Sequence, residues 1–242
     1  MKKALLAIII SLFFFSGCVL DTEGGKIYKK AVAYAAGHPS STYKANMTIT
    51  SGISGVGNMT TTAQGVFDSE KSLASVKTNF AGYDQSSKET TNQEIFYLIV
   101  NGSKYQQING VWSKFVASST NDFDSKTTLE DVQKQNPALD VVGEETINGI
   151  PAYVIKGELA PSEGLKLTQG LYKNAISGLS EETYTFKSGT ITLWIGKETP
   201  AILKIREEAN AQLNELSVHT VVTRIYYDWG VPVKIEIPPD IK

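Results

Sequence analysis

The sequence is short of the residues on which most site chemistry depends. Of its 242 residues one is a cysteine, Cys18, and two are histidines, His38 and His219. A lone cysteine excludes a disulfide within the chain, and zinc, which gathers Cys, His and carboxylate ligands in fours, finds no cluster of them here. Arginine is equally scarce. Arg206 and Arg224 are the only two among 23 basic residues, so no arginine cluster for bidentate phosphate recognition exists. The formal net charge is −2, without the basic patch a nucleic-acid binder shows. A Gly-x-Ser-x-Gly elbow, a phosphate loop and a His-Glu-x-x-His pair are all missing. The carboxylate pairs Glu144-Glu145, Glu181-Glu182 and Glu207-Glu208 are adjacent residues, which on strands point to opposite faces, whereas acid–base work needs two carboxyls converging on one cleft. Asn121-Asp122-Phe123-Asp124-Ser125 has oxygen ligands but neither the spacing nor the late glutamate of a calcium loop, and reads as a solvated turn. No enzyme, metal or cofactor is expected.

What is present begins at the N-terminus. Met1-Lys2-Lys3 is followed by an apolar run from Ala4 to Phe15 and then Ser16-Gly17-Cys18. This is a charged leader, an apolar segment of secretory length and a small-residue cut site. The run is shorter than the roughly 20 residues that a spanning helix needs. Small residues directly before a cysteine mark a lipoprotein signal, and the sequence resembles a lipobox, with Phe15 where leucine is usual. The expectation is cleavage of residues 1–17 and lipidation of Cys18. Each methylene of a diacylglycerol buried in the bilayer contributes about 0.8 kcal/mol, so two chains hold durably where one is marginal. The expected location is the extracytoplasmic face of the cell membrane. Val19 supplies no aspartate retention signal.

Cleavage leaves 225 of the 242 residues, with 21 basic against 25 acidic side chains. One large domain over 26–242 accommodates this length, after a short spacer over 18–25. Ile27, Ala31, Tyr34 and Ala35 recur at helical spacing before Gly37-His38-Pro39, predicting a short amphipathic helix over 26–36. The period then becomes two. In Tyr43–Thr50, Tyr43, Ala45, Met47 and Ile49 share one face. Strand signals recur at 58–67, 71–80, 94–100, 103–108, 111–116, 150–158, 183–195, 201–208, 217–227 and 231–237, several separated by Asn101-Gly102, Asn109-Gly110 and Asn148-Gly149, the strongest of short hairpin signals. Helical spacing returns at 125–135 and, more apolar, at 165–179. The expected class is therefore α+β, a large antiparallel sheet with helices on one face.

Three stretches carry a family resemblance: Val142–Ile155, a strand, an Asn-Gly turn and a returning strand; Thr190–Lys204, with Leu193-Trp194-Ile195 before a charged turn; and Tyr226–Pro239, closing on Pro238-Pro239. Together, in order and spacing over roughly 26–242, they resemble the lipoprotein-carrier superfamily of LolA, LolB and LppX/LprG-like proteins and their less characterised archaeal and bacterial lipoprotein relatives. The resemblance implies a large curved antiparallel sheet, an incomplete barrel, with helices covering the concave face and an apolar cavity for a lipid or a lipoprotein acyl chain. The family's cavity-gating arginine has no counterpart that can be matched to Arg206 or Arg224.

The expected ligand wall is Met47, Ile49, Leu171, Ile176, Leu193 and Ile195. Aromatic residues such as Tyr43, Phe67, Tyr226 and Trp229 suit a wall or a filled core alike. A filled core would instead make the protein a non-catalytic structural or interaction module of the cell envelope, its protein partner unknown. Asn46-Met47-Thr48, Asn58-Met59-Thr60 and Asn101-Gly102-Ser103 are N-glycosylation sequons. Asn46 and Asn58 fall on the polar phase of their strands and Asn101 in a turn, which would place all three toward solvent.

Overall fold

A computed structural model describes residues 22–38, 42–68, 71, 73–84, 87–101, 103–114, 132, 137–172 and 184–241. The expected signal segment, Cys18, the turn at 121–125 and, apart from Val132, the expected helix at 125–135 lie outside the described residues. Helix α1 (Glu23–Gly37) starts where Thr22, in extended conformation, accepts a hydrogen bond from the Gly25 N–H at 3.0 Å. That cap satisfies one of the donors a helix start leaves open. The helix thus takes in residues 23–25, assigned above to the spacer.

Six strands follow: β1 (Thr42–Ile53), β2 (Gly57–Asp68), β3 (Leu73–Asp84), β4 (Thr90–Val100), β5 (Ser103–Ile108) and β6 (Val111–Lys114). After β7 (Asp140–Ile147) and β8 (Ile150–Glu158) comes helix α2 (Pro161–Tyr172), then β9 (Tyr184–Gly196), β10 (Ile202–Leu213) and β11 (Leu216–Tyr227). All pair antiparallel in one sheet of order β6-β5-β4-β3-β2-β1-β11-β10-β9-β8-β7. Every neighbour is also a neighbour in the chain except β1 and β11, whose pairing runs from Lys44 opposite Tyr227 to Ile53 opposite Val218. Asn109-Gly110 and Asn148-Gly149 turn with φ of 51° and 82° and of 50° and 83°, the left-handed pair that fits the twist of a two-residue hairpin.

This architecture corrects the expected α+β class. Strands make up 63% of the structure and helices 16%, in one sheet that does not close. Among the described residues, the two helices, α1 and α2, are short and do not form a layer of their own. Of the helical spacing at 165–179, residues 165–172 lie in α2, which starts earlier, at Pro161, because proline suits a first helical position and the Ala160 carbonyl accepts from the Gly164 N–H at 3.0 Å; residues 173–179 lie outside the described residues. The expected strand at 231–237 is also absent: the segment pairs with no strand. β11 already has β1 and β10 on its two sides, and Pro232 and Pro238 lack the N–H that a ladder requires.

Period-two alternation gives the sheet one apolar face. Across β9, β10, β11, β1, β2, β3 and β4, the residues Leu193, Ile205, Arg224, Met47, Ala63, Thr78 and Ile95 stand side by side. One step along the strands lies the row Ile191, Glu207, Val222, Ile49, Thr61, Phe80 and Gln93. The main core cluster occupies this face and takes Tyr28 and Ala31 from α1, each 1% exposed. α2 packs on β9, β10 and β11, with Leu165 against the smaller cluster of Ile53, Tyr184, Ala211, Leu213 and Val218. A third cluster, Ala152, Val154, Trp194 and Leu203, lies on the opposite face. Among the described residues, no helix is long and apolar enough to cross a membrane.

Candidate functional site: the apolar face of the sheet

The apolar face changes character along its strands. At one end Tyr43 stacks on Phe67 with centroids 4.8 Å apart, lies 4.8 Å from Trp229 and meets Tyr226 edge-on at 5.9 Å. These four rings and the α1 side chains make an aromatic wall, and aromatic pairs add about 0.5–1.5 kcal/mol beyond the area they bury. Burial raises the pKa of the Tyr28 and Tyr97 phenols and keeps both neutral at any ordinary pH. The Trp229 Nε1 is buried and has no hydrogen-bond partner among the described residues.

The middle of the same face holds two charges. Arg224 Nη1 donates to Glu207 Oε2 in an ion pair whose side chains are only 10% and 14% exposed. Towards the other end, small polar groups replace the rings. The Ser51 and Thr220 hydroxyls hydrogen-bond at 2.8 Å, while Thr61 Oγ1 is buried without a partner among the described residues. The face therefore grades from aromatic, through an ion pair, to hydroxyl.

Of the expected wall, the structure brings four residues together. Leu193 and Ile195 are fully buried, Met47 is 6% exposed, and half-buried Ile49 packs against the same cluster. Leu171 belongs to α2, but its side chain lies outside the description, as do Ile176 and Cys18 altogether. The ion pair was not anticipated, although its signal is in the sequence. Arg224 falls in phase with Val218, Thr220, Val222 and Tyr226, and Glu207 in phase with Ile205 and Ala209.

Away from the Ala152, Val154, Trp194 and Leu203 cluster, the opposite face is polar. Glu208 accepts from Arg206 Nη2 at 3.0 Å and lies 3.0 Å from His219 Nε2, and these two bonds, Arg206 first, hold its carboxyl below the usual carboxylate range. Glu207 and Glu208 thus diverge, as adjacent strand residues must. His38 ends α1, with Nδ1 2.8 Å from the Tyr34 carbonyl oxygen. Asn46 is half-buried and accepts from the Tyr227 hydroxyl at 3.2 Å, whereas Asn58 is exposed and Asn101 sits exposed in a left-handed turn, φ 52°. A shallow hollow of about 430 Å³ over β2–β4, lined by Thr60, Thr62, Asn79, Ala81, Asn92 and Glu94 among others, is on this side too. Among the described residues, no three of His, Cys, Asp and Glu gather as a metal site would require.

No family model and no curated protein matches the sequence. Solved structures similar to it include LprF from Mycobacterium bovis, 13% identical with a TM-score of 0.44, the match covering 88% of this chain and 95% of that one. Lipoprotein LppX from Mycobacterium tuberculosis is 12% identical with a TM-score of 0.49, over 90% and 98% of the two chains. The LolA superfamily protein NE2245 from Nitrosomonas europaea is 11% identical with a TM-score of 0.29, over 90% and 96%. All three TM-scores lie below 0.5, and what the chain binds is a question for its own residues.

Proposed function

We propose that the protein is an extracytoplasmic lipoprotein, tethered through Cys18, that binds a hydrophobic ligand, a lipid or an acyl chain, against the apolar face of its sheet. The observation that carries this reading is the mainly apolar face shared by β9 to β4, with the buried Tyr43, Phe67 and Trp229 rings at one end and the Arg224–Glu207 pair at its middle. A sheet needs only a modest cover to remove one face from water. The members of this face are already buried, so a hydrocarbon chain would enter by displacing side chains that cover them and would replace one set of apolar contacts with another. Met47, Ile49, Leu193 and Ile195 form the proposed wall, and Leu171 and Ile176 are assigned to its helical side. No bond is made or broken in this role. Residues 26–242 act as one domain.

Native mass spectrometry of the gently purified protein is expected to show bound lipid. An empty protein that also ignores fluorescent fatty acids would overturn the reading. The near-zero exposure of Ile191, Leu193, Ile195 and Ile205 would then favour the second one, an envelope structural or interaction module whose core is filled by its own side chains. Intact mass decides the tether separately, since a Cys18→Ser chain should keep its leader and lack diacylglycerol. For the sequons, accessibility favours glycan on Asn58 and Asn101 over Asn46, which Tyr227 holds.

A further inference from the structure

We propose that the outward face of α1 is a membrane-docking surface for anionic lipid headgroups, a proposal that rests on the Cys18 tether. Tyr28 and Ala31 turn inward to the core. Lys26, Lys29 and Lys30 are exposed, and at 100° per residue they fall within one arc directly opposite. Between them the same arc carries Ala33, also exposed, and Gly37 at its end, so the helix backbone can come close to a flat surface. Glu23 is the one acid of that arc among the described residues. None of the three lysines has an ion-pair partner among the described residues.

This basic stripe stands out in a chain of net negative charge. It also stands in a particular place. Thr22, the cap of α1, donates its hydroxyl to the Leu139 carbonyl at 2.5 Å, which fixes the helix start to the end of the sheet where β7 begins. Cys18 precedes Thr22 by four residues, and four extended residues span at most about 14 Å. A lipid on Cys18 therefore holds the start of α1 within reach of the headgroups. A lysine close to an anionic bilayer gains about 1 kcal/mol, which corresponds to roughly fivefold in occupancy. An acyl anchor combined with a basic patch is the pairing of two signals that makes peripheral attachment firm. The helix would lie along the membrane, and the sheet would stand with a defined side to it instead of swinging on its tether.

The test uses the full lipidated chain on two kinds of vesicle, phosphatidylcholine alone and phosphatidylcholine with roughly one-third phosphatidylglycerol. Lysine acylation is followed by mass spectrometry. Lys26, Lys29 and Lys30 should label on the order of fivefold more slowly on the anionic vesicles. Lys187 and Lys234, exposed elsewhere, should label alike on both. Salt of about 0.5 M, which shortens screening to a few ångströms, should abolish the protection. The triple variant Lys26→Gln, Lys29→Gln, Lys30→Gln should stay anchored to both vesicles and lose the extra protection of its α1 amides. Equal labelling of the three lysines on both vesicles, in a chain that carries its diacylglycerol, would overturn the docking and leave the tether standing. A native protein whose intact mass shows no diacylglycerol on Cys18 would overturn the tether, and the docking with it.

Discussion

Arg224 and Glu207 face each other across β10 and β11 among side chains that are otherwise apolar or small. Two charges withdrawn from water lose hydration that their attraction only partly restores, so such a pair adds little net stability but is costly to break. Glu207→Ala is expected to lower the unfolding free energy in urea by about 3–5 kcal/mol, because it removes a carboxylate that faces a buried guanidinium. The double change Arg224→Met with Glu207→Leu should recover most of that loss. Recovery in stability with a changed set of co-purifying lipids would show that the pair selects ligands rather than holding the fold. Glu208, on the outer face, answers to pH instead. Its folded-state pKa lies below the ordinary 4.5, so its contribution is fully present above that value and disappears as pH falls through the depressed one. Glu208→Gln should therefore lower the melting temperature slightly at neutral pH and leave it unchanged once the carboxyl would be protonated, which flattens the acid limb of the profile. The phases of all these residues were legible as alternation in the sequence. Their partners were not, since the register that sets Glu207 beside Arg224 depends on which strands meet.

The short elements are held by backbone contacts that tolerate little. At α1, a Cβ built on Gly24 would lie 2.4 Å from the Leu139 carbonyl oxygen. Gly24→Ala, usually helix-stabilising by up to 1 kcal/mol, should instead destabilise by about 1–3 kcal/mol through overpacking. Circular dichroism during thermal unfolding would register the difference in sign. Hairpins were the most readable elements, because Asn-Gly supplies two left-handed residues where a tight turn needs them. Helix α1 was readable to within three residues. β7 was weaker, exposed along most of Asp140–Ile147 and bulged between Val141 and Gly143, so it lacks clean alternation. The segment at 231–237 misled in the opposite way, since its alternating Val231, Val233, Ile235 and Ile237 have the strand period but no unfilled ladder beside them.

At the scale of the whole molecule, the sequence conveys a chain of hairpins but not how the ladder begins and ends. Ten strand-to-strand contacts make the sheet, and nine join strands consecutive in sequence. Eight of those nine join strands only a few residues apart and the ninth joins β8 to β9 across α2, whereas β1 with β11 pairs strands far apart in the chain. Amide exchange should reflect this order: slowest in β1, β11 and β10, which have neighbours on both sides and bury one face, and fastest in four-residue β6, at an outer edge with Val111 70% exposed. Protection that peaked in β6 would contradict the pairing.

That single long-range strand pairing divides the sheet into two fans, β1–β6 and β7–β11, each continuous by itself and joined along β1 and β11, with α1 bridging them where Thr22 reaches Leu139. Severing the chain between Lys114 and Asp140 removes no strand pairing. The two pieces should therefore recognise one another when mixed and rebuild the whole, which would make this protein a natural candidate for splitting into complementary halves.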